Sequence, residues 1–391
     1  MRIAILSSHP VPYHVAFYKE LASRPGIDLE VLYAHDHGVT PTFDQGFGRA
    51  VKFDMPLLEG YAHRFPRNYA KKRELTFFGQ INPEIPLAVT RGDYDAIVVH
   101  GYQSLTSVAT FLAPRLSKRR TRVLLRSESN LLHERPLSTR LVKEVVIRAL
   151  FQRIDHFLAI GSLSQKYFEA YGVDPSRITI APYTVDNAYF LERSAAARHD
   201  PAATRRELGL PTDRPLFLFC SKVLPHKRPL DVLHAFAIAR RQTPCALAYV
   251  GDGAQMGELK AEITKLELED DVSVLGFRNT SELPAIYGAC DVFVQAAERE
   301  PWGMVVNEAM ACGAAVCASE RIGSAYDLVR DNGAMFPVGD IDRLAWLMTE
   351  WSRSPGKIAA MKQASLKRIA EWSVVQTADG VIAGCEAALA A

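Results

Sequence analysis

Cysteine is missing from the first 219 residues, and the six that follow (Cys220, Cys245, Cys290, Cys312, Cys317 and Cys385) form no CxxC pair. That distribution argues against a disulfide framework and for reduced core residues. Long apolar runs are missing as well: none approaches the roughly 18 residues of a membrane-crossing helix. The chain opens Met-Arg-Ile-Ala-Ile-Leu, which reads as a first strand. It lacks the long apolar core and cleavage site of a signal peptide, so a cytosolic location is expected. Nor is there a large excess of one charge sign. The net charge is +2, which speaks against nucleic acid as the main partner.

The 391 residues, 48% hydrophobic and 23% charged, suffice for two ordinary globular domains. Charge is uneven along them: residues 1–190 carry +6 and the rest −4. The excess concentrates in residues 101–150, including Arg115, Lys118, Arg119, Arg120 and Arg122. Such a stretch is either a solvated face or a contact for an anionic surface or acidic acceptor.

Short β-rich runs alternate with amphipathic stretches. Ile3 to Leu6, Asp28 to Tyr33, Ala96 to His100, Arg122 to Leu125 and His156 to Ile160 read as strands, with helices such as Tyr13 to Ser23 and Leu105 to Leu116 between them. The pattern restarts with Leu216 to Cys220, Ala246 to Val250, Val272 to Leu275, Val292 to Gln295 and Ala315 to Ala318. Two doubly wound α/β domains with parallel sheets, facing a cleft, are therefore expected. Residues 187–213 contain no strand and serve as the expected hinge. From Lys357 onward the pattern is helical. Ligands of open parallel sheets bind beyond the carboxyl ends of the strands, so the loops there are the places to search.

The strongest local signal reads Glu-Arg-Glu-Pro-Trp-Gly-Met-Val-Val-Asn-Glu-Ala-Met-Ala-Cys-Gly, from Glu298 to Gly313. The strand Val292 to Gln295 leads in, Pro301 favours a helix start near Trp302, and Gly313 can close the helix. First-turn amides around Gly303 and Met304 would then face a diphosphate, favoured by hydrogen bonds and the helix dipole. Glu300 precedes that helix and Glu308 lies on it. Two such carboxylates suit the hydroxyls of two different sugars.

This segment resembles the retaining GT-B glycosyltransferases of family four, the group 1 type, whose hallmark is two glutamates separated by seven residues with Glu-Ala-Met-Ala-Cys-Gly following. The resemblance implies that Glu300 touches the donor sugar, Glu308 the ribose, and Gly303 and Met304 the diphosphate. It also implies a GT-B fold, with an acceptor-binding domain at 1–190 rejoined by a C-terminal helix at about 373–391, and a nucleotide-sugar domain at 191–372. After the strand Leu216 to Cys220 the chain reads Ser-Lys-Val-Leu-Pro-His-Lys-Arg-Pro. Lys222 and Lys227 keep the family's spacing of two bases, with lysine where arginine is usual, so the bidentate fork is lost while the charge remains. Arg228 stands where the family has glycine.

Lesser matches are the turn at Gly251, the loop at Gly276 and Phe277, and Trp372-Ser373. His100 ends a strand at the position of a family histidine that faces the donor sugar. The family's glycine-rich first loop is replaced by Ser-Ser-His-Pro-Val-Pro-Tyr-His, which puts His9, Tyr13 and His14 on the acceptor side.

By resemblance, the expected reaction is retaining hexosyl transfer from a UDP- or GDP-sugar to a hydroxyl, with no metal or other cofactor. The acceptor is a glycan or lipid-linked sugar of envelope polysaccharide or glycoconjugate assembly, reached from the inner face of the plasma membrane. A GT-B epimerase or phosphorylase, and a non-catalytic nucleotide-sugar-binding protein, are the alternatives. Asp93-Tyr94-Asp95 mimics a manganese motif but immediately precedes a buried strand, where Asp95 turns the chain; His35-Asp36-His37 has no third ligand in view. Leu137, Leu141, Val142, Val145, Val146 and Leu150 fall on one helical face near Arg140, Lys143 and Arg148. That face is expected to be either core-facing or a membrane-surface element.

Overall fold

Strands that are apolar on both faces must be covered on both sides, because parallel ladders leave neither face to water. The computed structural model of the chain meets that demand twice. It describes every residue except 40–41, 45–48, 52–53, 117–120 and 133–136, and describes 42–44, 49–51, 115–116 and 137–142 by backbone alone. The chain divides into two compact units: residues 1–41, 56–185 and 373–391 form the first, and residues 42–55 and 186–372 the second.

Seven strands build the first unit: β1 (Arg2–Ser7), β2 (Asp28–Tyr33), β3 (Ala62–Arg64), β4 (Ala96–His100), β5 (Arg122–Ser127), β6 (His156–Ala159) and β7 (Ile178–Ile180). All pair in parallel, in the order β3-β2-β1-β4-β5-β6-β7. Ile97, Val99, Val123, Leu125 and Phe157 point into a core closed by Phe151, Tyr167 and Phe168. The helix Val374–Ala390 covers part of the other face, packing on β5, β6 and β7. Thr377 fixes it there by donating to the Pro182 carbonyl at 2.8 Å.

The second unit repeats the plan with β8 (Leu216–Cys220), β9 (Ala246–Val250), β10 (Val272–Gly276), β11 (Val292–Gln295), β12 (Ala315–Ser319) and β13 (Gly333–Phe336). Their order is β10-β9-β8-β11-β12-β13, again all parallel. Phe217, Phe219, Tyr249, Val294, Met348 and Trp351 lie in its core. In both units the strand order reverses beside the first strand. The topological switch crevices therefore open after β1 and β4 in one unit, and after β8 and β11 in the other.

Several elements depart from the sequence reading. The short edge strands β3 and β7, and β13, carry too few residues for a periodic signal. Residues 187–213, the expected hinge, instead supply three short helices, Asn187–Arg193, Ala195–His199 and Pro201–Glu207, which pack on Leu283–Ala289 and Met304–Ala311 in the second unit. Asp186 and Asp200 start the first and third of them by accepting from the Tyr189 and Ala203 amides. The C-terminal helical pattern is broken at Trp372: Pro355–Ala370 belongs to the second unit, and Ser373 caps Val374–Ala390 of the first in a capping box with Gln376.

In the helix Leu137–Phe151 the core-facing expectation fails for Val145 and Val146, which are 71% and 60% exposed. Ile147 and Phe151, one helical turn apart, form the buried stripe instead. The side chains of Leu137, Arg140, Leu141 and Val142, like those of Arg115, Lys118, Arg119 and Arg120, lie outside the described residues. Among the described residues no helix is long and apolar enough to cross a membrane. All six cysteines are buried and unbridged.

Glycine inside a helix normally costs about 0.5–1 kcal/mol relative to alanine. At Gly380 the sign reverses, because an added Cβ would stand 2.3 Å from the Ile180 carbonyl oxygen at the end of β7. Gly380→Ala is expected to lower the unfolding midpoint of the full chain in urea, and an unchanged or raised midpoint would show that the helix does not press on β7.

Candidate active site

The switch crevice of the second unit is walled by the loops after β8 and β11, and both carry charge. From β8 the chain passes Ser221 and Lys222 into a short turn, Pro225–Lys227. From β11 it passes Glu298 and Glu300 into the helix Met304–Ala311. Three contacts join the loops. Lys227 is hydrogen-bonded and ion-paired with Glu300. The Glu298 amide donates to the His226 carbonyl at 2.9 Å, and Arg228 pairs with the Glu298 carboxylate at 3.0 Å. Arg228 sits at φ +55°, a left-handed conformation that disfavours any side chain, and its bond to Asp231 at 2.6 Å helps hold it there.

The helix begins two residues later than Pro301 suggested. Gly303 is its N-cap at φ +93°, and a Cβ there would crowd Ile322 Cγ2 at 3.0 Å and Glu300 Cγ at 3.1 Å. Glycine is thus required both by conformation and by closeness. Met304 opens the first turn, whose amides have no partners within a helix. Trp302 donates from its indole to Asn307 at 3.0 Å and stacks on Trp372 at 5.9 Å.

A third loop, after β12, was not foreseen as part of the site. The amides of Gly323 and Ser324 donate to the carbonyls of Glu300 and Trp302, at 3.1 and 2.9 Å. The Ser324 hydroxyl is buried beside Gly303 without a hydrogen-bond partner among the described residues. Ile-Gly-Ser offers no charge or helix signal that sequence reasoning could have used.

Glu308, in the middle of its helix, accepts at 3.0 Å from the hydroxyl of Tyr287 on the helix Leu283–Ala289. Burial pushes its carboxyl up to about 7, with Tyr287 partly offsetting the rise. Gly251 acts through its backbone: at φ +129°, any Cβ would stand 1.9 Å from the Ser221 carbonyl oxygen, so glycine lets the loop carrying half-buried Lys222 lie against the end of β9. Its amide donates to Gly276 at 2.8 Å, and Phe277 follows directly, half-buried. The crevice therefore gathers Lys222, Lys227, Glu300, Gly303 and Met304 on the loops and helix start, with Glu308 one turn further along.

In the first unit the corresponding crevice collects histidine and tyrosine. His14, on the helix Pro12–Ala22 that follows β1, is buried. Its Nε2 lies 3.2 Å from the Tyr183 hydroxyl, its Nδ1 3.3 Å from that of Tyr18, and its ring meets the edge of His100 at 4.7 Å. Burial, first of all, holds both imidazoles well below the usual histidine range, and Arg126 adds to the effect. Both are neutral at pH 7, hydrogen-bonding groups rather than cations. Tyr13 packs edge-on against Tyr183 at 5.5 Å. Tyr183 in turn donates to Glu128 at 2.6 Å.

Arg126, buried at the end of β5, stacks over the rings of Phe17 and Tyr183 and donates to the Pro182 carbonyl at 2.9 Å. Arg126, Glu128 and Tyr183 were missed, because nothing local marks a strand end or a distant loop as neighbours of His14. His9 stands apart from this group. Its Nδ1 bonds the Ser8 hydroxyl at 2.9 Å, its ring meets His37 at 5.2 Å, and burial with the nearby His37 and His35 lowers it to about 4.

Among the described residues no three His, Cys, Asp or Glu side chains converge to hold a metal ion. Asp95 accepts from the Arg2 amide at 2.7 Å, which ties the entry of β4 to the start of β1 rather than turning the chain locally. His35 and His37 bond each other locally, through the His37 amide at 2.9 Å.

Residues 11–184 match the model of the Glycosyl transferase 4-like domain, and residues 200–368 that of the Glycosyl transferases group 1. A D-inositol 3-phosphate glycosyltransferase of Segniliparus rotundus is 29% identical over 59% of this chain and 50% of its own length. An N-acetyl-alpha-D-glucosaminyl L-malate synthase of Bacillus anthracis is 30% identical over 40% of this chain and 41% of its own. The chain spans about half the length of the curated relatives it matches. Among solved structures, Anabaena HepE in complex with UDP superposes with a TM-score of 0.71 at 20% identity, covering 98% of this chain and 99% of its own.

The raised pKa of Glu308 has a stability consequence. An unfolded glutamate titrates near 4.3, so the folded state holds this proton more tightly. The group's contribution is fully present below that value and is lost as pH rises through about 7. Glu308→Gln is expected to flatten the fall in stability across that window, by on the order of 3–4 kcal/mol. Urea midpoints against pH would measure it, and parallel curves for the two proteins would contradict the assignment.

Proposed function

We propose that this chain, which belongs to the group 1 glycosyltransferase family and has the GT-B fold, transfers a hexosyl group from a UDP- or GDP-sugar to a hydroxyl acceptor. The anomeric configuration is kept and no metal takes part. The observation that carries this reading is the Lys227–Glu300 pair, set at a topological switch point beside the start of the helix Met304–Ala311.

A nucleotide-sugar brings two needs to that place, a partner for sugar hydroxyls and positive potential for the diphosphate. Glu300 accepts from the sugar hydroxyls, and Glu308 from the ribose. Lys222, Lys227 and the amides of Gly303 and Met304 face the diphosphate, with Gly276 and Phe277 beside the base. As the bond between the anomeric carbon and phosphate oxygen breaks, negative charge grows on the leaving diphosphate and the carbon becomes oxocarbenium-like. Fixed cations and amides stabilise that charge without reorganising. The acceptor oxygen then bonds to the same face of the carbon, and its proton passes to the departing phosphate oxygen. No covalent nucleophile is needed.

In the first unit, Tyr13 and His14 belong to the acceptor side with His9, and His100 serves the reacting sugar as a neutral hydrogen-bonding group. The relatives that are named for inositol 3-phosphate and L-malate make anionic polyols and hydroxy acids the first acceptors to screen, beside glycans and lipid-linked sugars. UDP, bound by HepE, is the first nucleotide. Envelope polysaccharide or glycoconjugate assembly in the cytosol, at the inner face of the plasma membrane, is the setting proposed.

Removing one preorganised donor at such a site costs about two to three decades in rate. Glu300→Gln and Lys227→Ala are each expected to lose transfer to that degree from a UDP- or GDP-sugar while keeping the far-ultraviolet circular dichroism of the parent. Near-normal rates in both would overturn the site. Transfer is expected to continue in EDTA, and the product's anomeric proton coupling should match the donor's; a strict manganese requirement or an inverted product would each refute the proposed mechanism.

A further inference from the structure

Between β3 and the helix Glu84–Arg91 the first unit carries a protrusion, residues 65–78, that neither crevice uses. It leaves the sheet at the carboxyl end of the edge strand and is firmly built at its base. Asn68, buried, donates to the Gly79 carbonyl at 2.8 Å and accepts from the amides of Ala70 and Ile81 at 3.0 and 3.1 Å. Asn82 donates to the carbonyls of Pro66 and Ala34 at 2.9 and 3.1 Å. From Phe65 to Lys71 burial alternates residue by residue: Pro66, Asn68 and Ala70 point in, while Phe65, Arg67, Tyr69 and Lys71 point out.

What points out is of two kinds, large apolar and cationic. Tyr69 and Phe78 are 54% and 70% exposed, with Phe65, Leu75 and Phe77 beside them also exposed. Phe77 and Phe78 pack edge to face at 4.9 Å, and the Arg67 guanidinium lies 4.8 Å above the Tyr69 ring. Arg67, Lys71, Lys72 and Arg73 are all exposed, against the single acid Glu74. Five large apolar side chains held in water on a rigid base ask for an apolar phase, and four cations among them ask for anions at its edge. An interface of lipid headgroups supplies both.

We infer that residues 65–78 seat the first unit on an anionic bilayer, with Phe77 and Phe78 entering the headgroup layer and Arg67, Lys71, Lys72 and Arg73 meeting acidic lipid. This element is separate from the basic stretch 101–150 and from Val145 and Val146. Its binding does not depend on sugar transfer, so either reading can fail without the other.

The test is sedimentation of the full chain with vesicles of phosphatidylcholine, with and without phosphatidylglycerol. The parent is expected to partition onto the acidic vesicles, less so in high salt. Phe77→Ser with Phe78→Ser should weaken partition about tenfold or more, and Lys71→Gln with Lys72→Gln about fivefold per charge. Because these side chains are exposed, melting midpoints should stay at the parent value, and Val145→Ser with Val146→Ser should bind like the parent. Failure of the parent to sediment with acidic vesicles would overturn the inference, as would parent-like partition by both protrusion variants. So would binding to a soluble acidic peptide in place of vesicles.

Discussion

An ammonium and a carboxylate drawn partly out of water lose hydration that each can recover in part from the other, and the second unit is arranged around one such pair. Lys227 and Glu300 come from loops that follow adjacent strands of the sheet, β8 and β11. Their pairing, with the His226–Glu298 and Arg228–Glu298 contacts, makes the two walls of the crevice one piece. The loop after β12 then laces Glu300 and Trp302 from the other side. Charge is therefore placed before a ligand arrives, which is the condition under which electrostatic catalysis is effective.

The same economy of space governs the backbone. Gly303 lets the helix start lie against Glu300 and Ile322, and Gly251 lets the Lys222 loop lie against β9. Arg228 is the exception, a side chain in a left-handed conformation where the family's glycine would be unstrained. Its ion pairs with Asp231 and Glu298 offset that strain, so the departure from the family pattern ties the two loops more firmly.

Much of this was legible in the sequence because parallel strands buried on both faces are continuous apolar runs. Leu216–Cys220, Ala246–Val250 and Val292–Gln295 could be read to the residue. Glu300 and Glu308 share one local motif and Lys222 and Lys227 another, so each motif was legible by itself, but the pairing of Lys227 with Glu300 across 73 residues was not. Edge strands of three residues were not, and the sequence left Val145 and Val146 open between core and surface because a helix rotates by 100° per residue and their exposure depends on where Ile147 and Phe151 point. Arg126, Glu128 and Tyr183 meet His14 only after strands far apart in sequence have paired. Long-range register leaves no local trace.

The helix Val374–Ala390 has a consequence for biogenesis. It covers β5, β6 and β7 of the unit that contains the amino terminus. On the ribosome, that sheet must therefore wait with one face partly bare until residues 374–390, which follow the whole second unit, have been made. The second unit needs nothing beyond Trp372 and can close first. Of the two units, the one begun first is thus finished second, and during that interval its exposed strands are surface that a chaperone would shield.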